Sequence, residues 1–171
     1  MQDPIPAPGP LVKIATPLAA RLSLRTLSLH VHEILPVFAF YNFIELYFSP
    51  YLSRRLFAKT YGSLSDRSRT NWDAHVVSLV QSTFINSAAL WVIFFDKTRS
   101  AMTAGERVWG YTGSMGFVQA CASGYFLWDL MTASLNPDVH GVGAGIHAAA
   151  ALAVSMLGFV RHSFAVGLFN D

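Results

Sequence analysis

The chain has 171 residues, a single cysteine and a formal net charge of +2. Hydrophobic residues make up 53% of it and charged residues only 13%, about half the charged share of an ordinary soluble domain. One cysteine excludes an internal disulfide framework and a cysteine-rich zinc site, and so small and scattered a charge excludes nucleic acid as a partner. The length fits one domain.

Residues 1–25 carry Pro4, Pro6, Pro8, Pro10 and Pro17, which argue against early helix. Their apolar stretches are too short and interrupted for a signal-peptide core. This segment is expected to be a flexible tail.

A first helix is expected at about 28–47. Arg25 and the pair Arg54/Arg55 flank it, Pro36 kinks it, and Ser49-Pro50 ends it. The run His30-Val31-His32-Glu33 looks like a set of metal ligands, but only His30 and Glu33 share a helical face. Neither a metal nor a cofactor is expected.

Three further helices are expected at about 76–95, 108–130 and 141–160. Residues 76–95 and 108–127 hold no Asp, Glu, Lys, Arg or His, and residues 141–160 hold only His147. Each stretch, at 1.5 Å per residue, spans about 30 Å, the thickness of a bilayer's hydrocarbon core. The pattern predicts an all-α integral membrane bundle of four transmembrane helices over residues 26–162, with 163–171 as a short tail. Trp72, Trp91, Trp109 and Trp128 lie near block ends, where interfacial anchors sit. Gly116, Ala120 and Gly124, and likewise Gly141 and Gly145, recur at a spacing that lets helix backbones approach closely. Lys13, Arg21, Arg25, Lys97, Arg99, Arg107 and Arg161 slightly outweigh Arg54, Arg55, Lys59, Arg67 and Arg69 on the other side, a small positive-inside bias toward cytosolic termini.

Polar groups inside apolar helices are the costly ones. Glu45, Asn71, Trp72, Asp73, His75, Asp129 and His147 fall toward one membrane face. On helix two, His75, Ser78, Ser82 and Asn86 share a stripe, with Gln81 beside it. Such a stripe is expected to point at other helices or a wet cavity. Tyr125 and Asp129 share a face of helix three. Asp129 and His147 fall at similar depth on antiparallel neighbours, where a carboxylate can orient an imidazole. The cavity-lining candidates are therefore His75, Ser78, Gln81, Ser82, Asn86, Tyr125, Asp129 and His147. Interhelical hydrogen bonding that only fixes packing is the alternative. No Gly-x-Ser-x-Gly turn supports serine hydrolysis.

The stretch 71–78 (Asn-Trp-Asp-Ala-His-Val-Val-Ser) with Gln81-Ser82 resembles the opening of helix two in TLC-domain membrane proteins, the family that includes ceramide synthases. Gly124-Tyr125-Phe126-Leu127-Trp128-Asp129-Leu130 resembles the family's Gly-Tyr-x-x-x-Asp-Leu segment. Gly145-Ile146-His147-Ala148 falls where many members carry paired histidines, and Leu52-Ser53-Arg54-Arg55 is similar to the fungal non-synthase branch. The resemblance implies a six-helix bundle of the endoplasmic reticulum that works on lipids, of which the chain carries the first four helices and is read as C-terminally incomplete. It implies a membrane lipid, a sphingolipid or a phospholipid, as partner. Function is expected to be lipid homeostasis through a lipid or acyl chain held between helices. The alternative is an N-acyltransferase resembling ceramide synthase, against which Ala148 stands at the second histidine position.

Overall fold

A computed structural model describes residues 3–160, and all its regular elements are helical. The expected tail 163–171, with Arg161 and His162, lies outside the described residues.

The N-terminal segment departs from its expected form, because α1 runs over Gly9–Arg21. Pro10 occupies the first turn, where no backbone N–H is required, and Pro17 is tolerated inside. After a 3-10 turn at Leu27–Leu29 comes α2, Val31–Phe43. It passes through a π turn, Ile44–Phe48, into α3, Ser49–Leu56. Ser49-Pro50 therefore does not end the helix. The π turn widens the ladder one turn ahead of Pro50, where the ring would otherwise meet preceding carbonyls. Residues 31–56 form one continuous helical rod.

The short α4, Ala58–Ser63, leads to α5, Asp66–Phe95. Helix α5 begins ten residues before the apolar block because Ser65 caps it, accepting from the Ser68 N–H. Asp96 ends α5 and starts α6, Lys97–Ala101, by accepting from the N–H groups of Thr98 and Arg99. A Thr103/Glu106 capping box opens α7, Ala104–Trp109. Thr112 caps α8, Gly113–Leu135, which is why that helix starts later than the apolar run suggests. A single turn, α9 (Pro137–His140), precedes α10, Val142–Leu157. Between them Gly141 has φ +79°, a backbone that side chains rarely allow.

Helix α8 is central, packed between α2 and α10, with α5 against α8 and the π turn. Small residues permit this. A Cβ on Gly124 would lie 2.8 Å from the Ile34 carbonyl oxygen, Ala120 is fully buried, and Gly116 faces His30. Gly145 has no such role, since a Cβ there meets nothing within 4 Å. Trp128 is not an interfacial anchor either. It is fully buried in a cluster with Tyr41, Ile44, Ala74 and Val77. Trp91 is exposed.

Of the four expected spans, α5 meets the length and apolarity of a crossing helix. Helix α10 is apolar but shorter. Only 17% of the most apolar window of α5 is buried among the described residues.

Candidate functional site

The early start of α5 sets Arg67, Asn71, His75 and Leu79 four residues apart, on one face. Leu64, Ser68, Trp72, Val76 and Val139 complete the walls of a groove of about 660 Å³ there. Along α5 its donors Arg67, Ser68 and Asn71 come first, and Val76 and Leu79 follow beyond His75. The Arg67 guanidinium donates to the Asp138 carbonyl, tying α5 to α9. His75 Nδ1 donates to the Asn71 carbonyl, 2.7 Å away, which leaves Nε2 as the ring's acceptor.

His75 also belongs to the wall of a second, smaller pocket of about 90 Å³ between α5, α8, α9 and α10. Ser78, Trp128, Asp129, Thr132 and His140 line it with His75. Asp129 interacts electrostatically with His147 and then with His140. Among the described residues no hydrogen bond joins Asp129 to either ring. His140, whose Nε2 is buried without a partner, lines the pocket, whereas His147 does not and is exposed. The turn at Gly141 keeps α9 against the pocket while α10 carries His147 to the outside.

The predicted stripe splits. Gln81 is buried and accepts from the Tyr41 hydroxyl, and Ser78 meets the Tyr125 hydroxyl at 3.1 Å. His75, Ser82 and Asn86 are exposed, and each bonds a carbonyl of its own helix. The cause is rotation. Asp73, Ala74, Val77, Gln81 and Val92 are the buried positions of α5, and they lie about 120° around the helix from the stripe. Ser82 and Asn86 thus do not line either pocket.

Beneath the groove lies a polar support that sequence reasoning only grazed. Asp73 accepts from Ser49 Oγ at 2.6 Å and from the Tyr61 hydroxyl at 2.8 Å. Trp72 Nε1 donates to Ser53 Oγ at 2.9 Å. Glu45 Oε2 accepts from Trp128 Nε1 at 2.8 Å and from Thr132 Oγ1 at 3.2 Å. These bonds fix the rod against α5 and α8. Arg67, Glu45, Tyr61 and His140 were not among the candidates. Placing the start of α5 at Ser65 would have exposed the Arg67–Asn71–His75 spacing.

Burial, and then the hydrogen bond to Asp73, push the Tyr61 phenol up to about 12, from about 10 in an unfolded chain. The folded protein favours the neutral form, so this stabilisation is fully present below about pH 10 and is lost as pH rises through about 12. In denaturant unfolding, Tyr61→Phe should be about 1–2 kcal/mol less stable than wild type at pH 8. The gap should shrink between pH 10 and 12. A gap independent of pH would contradict the assignment.

Residues 71–170 match the family profile described as TLC domain. The chain is 36% identical over 147 residues to an uncharacterised TLC domain-containing protein of Schizosaccharomyces pombe, covering 86% of this chain and 48% of that one. It is 27% identical over 130 residues to topoisomerase I damage affected protein 4 of Saccharomyces cerevisiae, covering 75% and 44%. A TLC domain-containing protein 4 C of Dictyostelium discoideum is 25% identical over 104 residues, covering 58% and 36%. The chain spans about half the length, or less, of these curated relatives. No solved structure matches it.

Proposed function

The chain belongs to the TLC-domain family, and from that premise we propose that it is a multi-pass membrane protein of lipid homeostasis that holds one lipid molecule in the groove along α5. In this reading α5 crosses the bilayer, the rod 31–56, α8 and α10 cross or enter it beside α5, and the membrane is that of the endoplasmic reticulum. The exposed apolar side chains of α5, among them Leu79, Leu90, Phe94 and Phe95, support a lipid environment, since a surface of this kind is unfavourable in water.

The groove is the observation that carries the reading. Donors at Arg67, Ser68 and Asn71 lie at one end of the α5 face, and Trp72, Val76 and Leu79 continue it as a mostly apolar wall. An amphiphile matches this order: an acceptor-rich headgroup by Arg67 and Asn71, and an acyl chain along Val76 and Leu79. Acyl transfer gains no support from the site. Ala148 is fully buried, and the exposed His147 lies outside both pockets.

Native mass spectrometry of the detergent-purified protein tests the reading. Wild type should retain lipid. Val76→Trp, which fills the groove, should retain at least about tenfold less, the equivalent of about 1.4 kcal/mol. Ile146→Trp, on the exposed side of α10, should retain as much as wild type. Equal retention by all three would overturn the proposal.

A further inference from the structure

At the opposite end of the rod from the groove, three ligand-bearing side chains converge. His30 is fully buried and Glu33 almost so. His30 Nδ1 lies 2.6 Å from Glu33 Oε2 and 3.4 Å from Asp3 Oδ2. One ligand atom from each of the three residues falls within 4.8 Å of the others. We propose that Asp3, His30 and Glu33 form a binding site for a divalent transition-metal ion such as Zn²⁺, whose usual ligands include His nitrogen and Asp/Glu oxygen.

A single ring nitrogen carries at most one proton, so His30 Nδ1 can serve only one of the two carboxylates at a time. Glu33 also keeps its other oxygen, Oε1, buried without a hydrogen bond, with His32 Nε2 4.0 Å away. Two carboxylates, one buried and one partly exposed, share one imidazole, which offsets their negative charge poorly. A divalent cation among them offsets both carboxylates at once. With metal–ligand bonds of 2.0–2.2 Å, tetrahedral ligands stand about 3.4 Å apart. The His30–Asp3 separation already has that value, and the His30–Glu33 contact needs to open by less than an ångström.

The surroundings prepare the ring. His30 Nε2 hydrogen-bonds the Tyr111 hydroxyl. When Nε2 carries the proton and donates it to Tyr111, the Nδ1 lone pair points toward the carboxylates, the usual outer-shell arrangement for a ligating histidine. The Phe159 ring lies 5.6 Å from the imidazole and shields it. Gly116 lets α8 come close enough to hold the ring, because a Cβ there would stand 2.6 Å from His30 Cε1. Three protein ligands leave a fourth position for water. The site shares no residue with the groove, so the outcome of its test is independent of the lipid reading.

The test uses the full chain in detergent, without a polyhistidine tag, stripped of metal by chelator and titrated with Zn²⁺ alone, with Mg²⁺ as the comparison ion. Wild type should bind one equivalent of Zn²⁺ and melt at a higher temperature with it, and Mg²⁺ should do neither. Glu33→Gln should weaken Zn²⁺ binding at least about tenfold, and Tyr111→Phe about tenfold through the ring's orientation. Asp3→Asn changes a partly exposed residue near the chain's start, so it keeps the test valid where core variants fail to fold, and it too should weaken binding at least tenfold. Co²⁺ should give visible d–d absorption in wild type that Asp3→Asn alters. Zn²⁺ binding of equal strength in wild type and Asp3→Asn, or no stoichiometric binding by wild type, would overturn the site.

Discussion

Gly116→Ala is expected to destabilise the folded chain by about 3 kcal/mol, near the upper end of what overpacking costs. The new methyl would lie 2.6 Å from His30 Cε1 and 2.7 Å from the Tyr111 hydroxyl oxygen, closer than real Cβ atoms come. His30 cannot retreat, because it is fully buried and tied to Glu33 and Tyr111. Either those bonds break or α8 moves off α2. Gly145→Ala is the matched comparison: a methyl there meets nothing within 4 Å, and alanine favours helix over glycine by up to about 1 kcal/mol. Thermal or denaturant unfolding in detergent separates the two. Equal stability of both variants would show that α8 does not approach α2 as described.

Trp128→Ala should cost about 3–5 kcal/mol, the range for truncating a large buried aromatic. Trp128 is 1% exposed and packs against Tyr41 and Tyr125 with ring centroids 6.3 Å and 5.4 Å away. Its indole N–H also donates to Glu45. The variant therefore leaves a cavity and removes one of the donors to a carboxylate in the same step. Trp128→Phe keeps most of the packing and loses the donor, so it should cost about 1–3 kcal/mol. A loss below 1 kcal/mol in Trp128→Ala would mean that the tryptophan faces lipid, as its place near a block end first suggests.

Trp128 also marks where sequence reading stops. Position along the chain put it at a membrane interface, but rotation about the helix axis decides what it touches, and rotation is set by partners that spacing does not reveal. The same holds for α5. The apolar block 76–95 is legible because a charge-free run of that length is rare, and in the structure the buried Gln81 and the half-buried Ser78 bond tyrosines of other helices. Ser82 and Asn86 were grouped with them by a spacing of four, yet the buried face is centred on Asp73, Val77 and Gln81. The start of α5 is set by the Ser65 cap and not by hydropathy, so the apolar run alone does not reveal the place of Arg67. The π turn at Ile44–Phe48 has no strong local signature, so Pro50 reads in the sequence as a stop. His30 and Glu33 were seen as one helical face, but Asp3, distant in sequence, could be joined to them only by the fold.

A lipid held in the α5 groove as proposed, its acceptor-rich headgroup by Arg67 and Asn71, would be distinguishable from the lipid around the protein. The most direct measurement places a photo-reactive phenylalanine analogue at Leu79, in the groove, or at Val154, on α10. The two positions are 66% and 68% exposed, so bulk lipid reaches both equally. Irradiation in native membranes and mass spectrometry of the adducts should give one dominant headgroup class at Leu79 and the composition of the whole membrane at Val154. The same mixture at both positions would contradict the account.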